Sequence, residues 1–170
     1  MKTATPNISL IRLSELPKLT RIHSLALMRF RGEQVGVTLR SEYAVDPDFT
    51  NMLTLRLQAR YTMLHNQIIR PLCEYAIEAV FETDEDAISI SDGEILLPQW
   101  LSRLTLSVGI GALRGMLAQA TRNTFLTHYP LPLFDMTALV ASIDPENDGG
   151  RGLMPELKVE LPEMPAAGVS

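Results

Sequence analysis

The stretch Leu53-Thr54-Leu55-Arg56-Leu57-Gln58-Ala59-Arg60-Tyr61-Thr62-Met63 alternates apolar and polar residues without a break. Successive side chains on a β-strand point to opposite faces, so its apolar set shares one face and its polar set the other. Two neighbouring stretches repeat the pattern. Val35, Val37 and Leu39 alternate with Gly36, Thr38 and Arg40, and Cys73, Tyr75, Ile77, Ala79 and Phe81 alternate with Glu74, Ala76, Glu78, Val80 and Glu82. Three such strands predict a sheet with one buried face. Pro47, between Asp46 and Asp48, marks the first connection, and Asn66 to Pro71 marks the second. Connections this short favour antiparallel neighbours. A fourth, less regular strand is expected near Ile22 to Phe30.

Beyond Phe81 the acidic run Asp84-Glu85-Asp86 and the Asp92-Gly93 pair read as turns, and then the period changes. From Pro98 to about Arg122 the apolar residues fall at helical spacing, with Pro98 suited to a first turn. One row holds Leu101, Leu104, Val108, Gly111, Ala112 and Gly115; a second holds Leu106, Ile110, Leu113 and Leu117. One sheet covers one side of a helix, so the second row is expected to meet another subunit. Tyr129-Pro130-Leu131-Pro132 cannot be regular helix, and a short helix is expected from Asp135 to about Ile143. Residues 144–170, with four prolines and four glycines, read as a flexible tail to a single domain of residues 1–143.

The 170 residues carry a net charge of −5, which disfavours a broad nucleic-acid footprint. Cys73 is the only cysteine and can close no internal disulfide. Arg12 interrupts the one candidate for a leader's apolar core, and the uncharged run between Arg103 and Arg114 is far too short to span a membrane. A cytoplasmic protein without membrane insertion is therefore expected. His23, His65 and His128 are scattered and show no metal-ligand spacing. Gly109-Ile110-Gly111-Ala112-Leu113-Arg114-Gly115 misplaces the third glycine of a dinucleotide fingerprint. Asp144 to Gly149 begins like a calcium loop, but Pro155 stands where the bidentate glutamate belongs. No cofactor, metal or catalytic residue is expected.

The order of these elements and several short motifs resemble the SecB family of protein-export chaperones. Leu72-Cys73-Glu74 before an aromatic residue is similar to the family's Leu-Cys-Glu-Val strand. Leu96-Leu97-Pro98 is similar to the Leu-Phe-Pro that opens its long helix, and Thr121-Arg122-Asn123-Thr124-Phe125 to the Ser-Arg-Gly-Thr-Phe that ends it. Leu131-Pro132-Leu133-Phe134-Asp135 with Ala138-Leu139 resembles Ala-Pro-Val-Asn-Phe-Asp-Ala-Leu. The likeness covers roughly residues 22–143.

The resemblance implies an α+β fold: a four-stranded antiparallel sheet with a long helix and a short C-terminal helix on one face. It implies a homotetramer, a dimer of dimers, that holds unfolded polypeptide clients without ATP. Clients would lie along Leu97, Trp100, Leu101 and Leu104, with Phe125 at the far end, and Leu106, Ile110, Leu113 and Leu117 would make the subunit contact. Leu72 and Glu74 would dock the export motor SecA, although Ser24 and Met28 stand where the family's two acidic docking residues fall. A dedicated client such as an aggregation-prone antitoxin is an alternative partner. Other readings are a structural or assembly module, and a hot-dog-type enzyme with Gln99 or Glu94 as its nearest polar candidates.

Overall fold

The computed structural model describes residues 7–84, 87–136 and 157–160, the last as backbone only. The alternating stretches form β3 (Gln34–Asp46), β4 (Phe49–His65) and β5 (Ile68–Thr83), an antiparallel meander. Register sets Leu39 beside Ala59 and Ala59 beside Tyr75, and likewise Tyr43, Leu55 and Ala79. Each such row presents its side chains to one face. Leu53, Leu55, Leu57, Ala59, Tyr61, Ile77 and Phe81 are accordingly all buried.

The two hairpins differ. Asp48 N–H donates to Asp46 Oδ1 at 2.9 Å across the first. The second is tighter than expected, because the turn is only Asn66-Gln67, both at positive φ (48° and 65°), and β5 resumes at Ile68. A two-residue turn of this hand matches the twist of the flanking strands. Pro71 therefore lies inside β5. It is tolerated because Tyr61 pairs with Cys73 and Thr62 with Pro71, leaving Leu72 as the extra residue of a bulge.

The fourth strand of the expected sheet lies elsewhere. β1 (Ile8–Glu15) pairs antiparallel with β5 along its length, whereas the segment predicted near Ile22 to Phe30 gives only β2 (Arg21–Ile22) and a short helix, α1 (Ser24–Met28). Ser-Leu-Ala-Leu-Met has no β-branched residue and favours helix. β1 escapes a period-two reading because Leu10 pairs with Phe81 and Arg12 with Val80, so Ile11 is an unpaired insertion that resets the alternation. A small hairpin follows, β6 (Ser89–Ser91) and β7 (Glu94–Leu96), turning at Asp92-Gly93 with φ of 52° and 82°. A last strand, β8 (Leu157–Glu160), arises within the expected tail and pairs with β3, giving the order β1-β5-β4-β3-β8 with β2 beside β5. The remaining tail, the calcium-loop-like segment and all but the first two residues of the helix expected from Asp135 lie outside the described residues.

The long helix α2 runs Gln99–Ala120, one residue after Pro98. It lies on the buried face of the sheet, and its approach is set by Gly109. A Cβ there would stand 2.8 Å from Leu55 Cδ2 and from Leu57 Cδ1. The motif Thr121-Arg122-Asn123-Thr124-Phe125 ends it: Thr124 N–H donates to the Thr121 carbonyl at 2.9 Å, and Thr124 Oγ1 accepts from Leu126 N–H at 3.2 Å. Arg114 then straps the proline-bearing segment to the helix, its Nε donating to the Leu131 carbonyl (2.9 Å) and its Nη2 to that of Pro132 (2.8 Å).

Candidate functional site

α2 is apolar on two faces, as its sequence predicts, but the assignment of the faces is the reverse. Leu106, Ile110, Leu113 and Leu117, expected as the subunit contact, are at most 4% exposed and belong to the core. Leu101, expected in the client groove, is fully buried as well. The row left outside is Trp100, Leu104 and Val108, each 38–40% exposed, continued by Gly111 and Gly115. Among the described residues, a Cβ added at either glycine would meet nothing within 4 Å. These glycines therefore do not set the helix against the sheet; that close approach is made by Gly109 alone of the three. The outer row is a smooth apolar ridge without charge, flanked by Arg103.

Leu97 is half-buried at the start of this ridge. Phe125 is not beside it. A helix of 22 residues is about 33 Å long, so Trp100 and Phe125 stand near opposite ends. Phe125 joins a second apolar feature there. Its ring stacks on Phe30 with centroids 3.8 Å apart, and Tyr129 meets both rings edge-on at 6.2 and 6.0 Å. Beside the stack an open pocket of about 270 Å³ is lined by Ser24, Leu27, Met28, Asn123, Thr124 and Phe125. Met28 of its lining is 75% exposed, and Leu25, also on α1, is 61% exposed. Phe30, Tyr129 and Met28 escaped sequence reading because nothing local links residues a hundred positions apart. The ridge was legible, since 100, 104, 108, 111 and 115 follow helical spacing.

The far face of the sheet is different in kind. Glu78 takes Arg56 Nε at 2.9 Å and Arg12 Nη2 at 2.8 Å, and Glu74 takes Arg60 Nε at 2.7 Å. Glu74 and Glu78 are thus on the outward face, as expected, but both are already ion-paired. Leu72 is fully buried, its carbonyl accepting from His23 N–H at 3.0 Å, so of the expected docking pair only Glu74 is at the surface. The hydrogen bond from Arg56, then that from Arg12, holds the Glu78 carboxyl below its ordinary range. A depressed folded-state value contributes stability at neutral pH that is lost as pH falls through it. Wild type is therefore expected to exceed Glu78→Gln at pH 7 by no more than about 1 kcal/mol, and the gap should narrow in acid, below the ordinary carboxylate range. Urea unfolding at pH 7 and in acid checks this.

Little else points to chemistry. Burial pushes the Cys73 thiol up to about 12, so it stays protonated. Tyr43 is buried and shares a 2.8 Å hydrogen bond with Thr105 Oγ1, which itself donates to the Leu101 carbonyl. Glu94 is half-buried in β7 and Gln99 is exposed at the helix start. Among the described residues no group of three or more His, Cys, Asp or Glu side chains is placed to hold a metal, and no helix is long and apolar enough to cross a membrane. Comparison with family models, with curated proteins and with solved structures returns no match.

Proposed function

We propose that the chain is an ATP-independent holder of unfolded polypeptides, SecB-like in kind, working as a homo-oligomer in the cytoplasm. One observation carries this: α2 keeps a ridge of Trp100, Leu104 and Val108 exposed after its other face has been buried in the core. A contiguous exposed apolar surface marks a site where other chains bind. Gly111 and Gly115 suit the C-terminal half of the ridge to another α2, since helices without intervening side chains approach to about 8 Å. The subunit contact therefore moves from the row of Ile110 to this outer row. Client binding falls to Leu97, Trp100 and Leu104 at one end and to the aromatic pocket around Phe125 at the other. Apolar burial contributes roughly 25 cal/mol per Å² whatever the client's sequence, as an unselective holder requires.

SecA or an antitoxin is the partner class that the resemblance supplies, with Glu74 as the docking residue to reverse. The rival enzyme reading would rest on Glu94 in β7 and Gln99 at the start of α2, and the assembly-module reading differs only in lacking clients. The assembly is tested by Gly115→Leu. Its Cβ meets nothing within 4 Å among the described residues, so the fold should hold while packing against a second helix is blocked. Light scattering should fall from a multiple of 18.9 kDa to that mass, with the circular dichroism spectrum unchanged. An unchanged oligomer would remove α2's outer face from the contact, and a wild-type monomer would remove the oligomer.

A further inference from the structure

Beyond Ala120 the chain turns back along α2, and the strap at Leu131 and Pro132 closes a small cavity against β4. Its volume is about 50 Å³, and Tyr61, Arg114, Leu117, Leu126 and Leu131 are among the residues that line it. Tyr61 is 1% exposed, and its hydroxyl has no hydrogen-bond partner among the described residues. A buried hydroxyl without a partner costs stability, and native interiors keep few of them. Burial pushes the phenol above its ordinary range, so the O–H keeps its proton and can donate. The second polar group is Arg114, which is half-buried and near enough for its charge to act on the Tyr61 hydroxyl. A guanidinium carries five N–H donors, and the bonds to the Leu131 and Pro132 carbonyls use two of them. Among the described residues no carboxylate pairs with it.

One cavity thus joins a cation, an unpartnered donor and an apolar wall of three leucines. A single ligand chemistry meets all three: paired anionic oxygens at one end and a short hydrocarbon at the other. An ionised carboxylate leaves water only where it is both paired and hydrogen-bonded, and a guanidinium beside a phenol offers both. One water needs roughly 10–15 Å³ of such space, so the cavity takes about four water-sized groups, the scale of acetate or propionate. We propose that the cavity beneath the strap binds a short aliphatic carboxylate, its oxygens accepting from Arg114 and Tyr61 and its alkyl group resting on Leu117, Leu126 and Leu131. Neither α2's outer ridge nor an oligomer takes part, so the site stands or falls separately from client holding.

The test uses the full chain at pH 7 with sodium propionate, and with propionamide as an uncharged probe of the same size. A ligand this small limits the affinity, so isothermal titration should show saturable binding at roughly millimolar propionate, one per chain. Propionamide should bind at least about tenfold more weakly, because it cannot form the charge-assisted pair. Tyr61→Phe removes only the hydroxyl. Without ligand it should melt at or above wild type, since no hydrogen bond within the described chain is lost. Its propionate affinity should fall about tenfold, the scale of one hydrogen bond to a charged group. Propionate should accordingly raise the melting temperature of wild type more than that of Tyr61→Phe. No saturable binding of propionate, equal binding of propionamide, or equal propionate affinity in Tyr61→Phe would overturn the proposal.

Discussion

Ile110→Asp is expected to remove a large part of the chain's folding stability instead of dividing an oligomer. Ile110 is 3% exposed and lies in the core shared by α2 and the sheet, among Leu106, Leu113 and Leu117. An unpaired carboxylate there loses its hydration with nothing to replace it, and removal of the isoleucine opens a cavity as well. Together these cost at least about 4 kcal/mol, against a total stability of roughly 5–15 kcal/mol for an ordinary domain. Leu104→Asp, six residues away on the 40% exposed ridge, should leave the monomer's melting temperature within a few degrees of wild type. Circular dichroism melts of the two variants separate the faces directly. Equal destabilisation would mean that α2 is not seated as described.

Gly109→Val should also be severe, and for a backbone reason. The added Cβ alone stands 2.8 Å from two leucine methyls, and Leu55 and Leu57 are themselves at most 1% exposed, so any shift must be made inside the packed core. Either the helix lifts from the sheet or the leucines leave their rotamers. Overpacking of this kind costs about 3 kcal/mol, far more than the roughly 1 kcal/mol that replacing a helical glycine otherwise returns. Gly111→Ala meets nothing and should stabilise by up to about 1 kcal/mol in the monomer. Urea midpoints of the two variants should therefore move in opposite directions.

The two faces of α2 explain what sequence could and could not disclose. The uninterrupted alternation of Leu53 to Met63 forces a half-buried strand, because any other register would expose six apolar side chains. The spacing of α2 forces a helix with two apolar faces, but spacing does not rank them. Leu106, Ile110, Leu113 and Leu117 are bulkier than the row containing Gly111, Ala112 and Gly115, and the bulkier row fills the core. β1 was hidden by a single bulged residue, Ile11, and the Phe30–Phe125–Tyr129 stack by chain distance. The strand at Leu157 alternates over only four residues, between Pro155 and Pro162, too short a run to stand out in a proline-bearing tail.

The central claim is that exposed apolar surface on this chain holds other polypeptides. Its most direct measurement is light scattering of chemically unfolded clients diluted into buffer without nucleotide, with wild type and Trp100→Ala compared at equal concentration. Trp100 is 39% exposed, so truncation should leave melting nearly unchanged. The account predicts that wild type delays aggregation of several unrelated clients near one oligomer per client chain, and that Trp100→Ala delays it markedly less. Aggregation curves that overlay those without the protein, for every client tried, would contradict it.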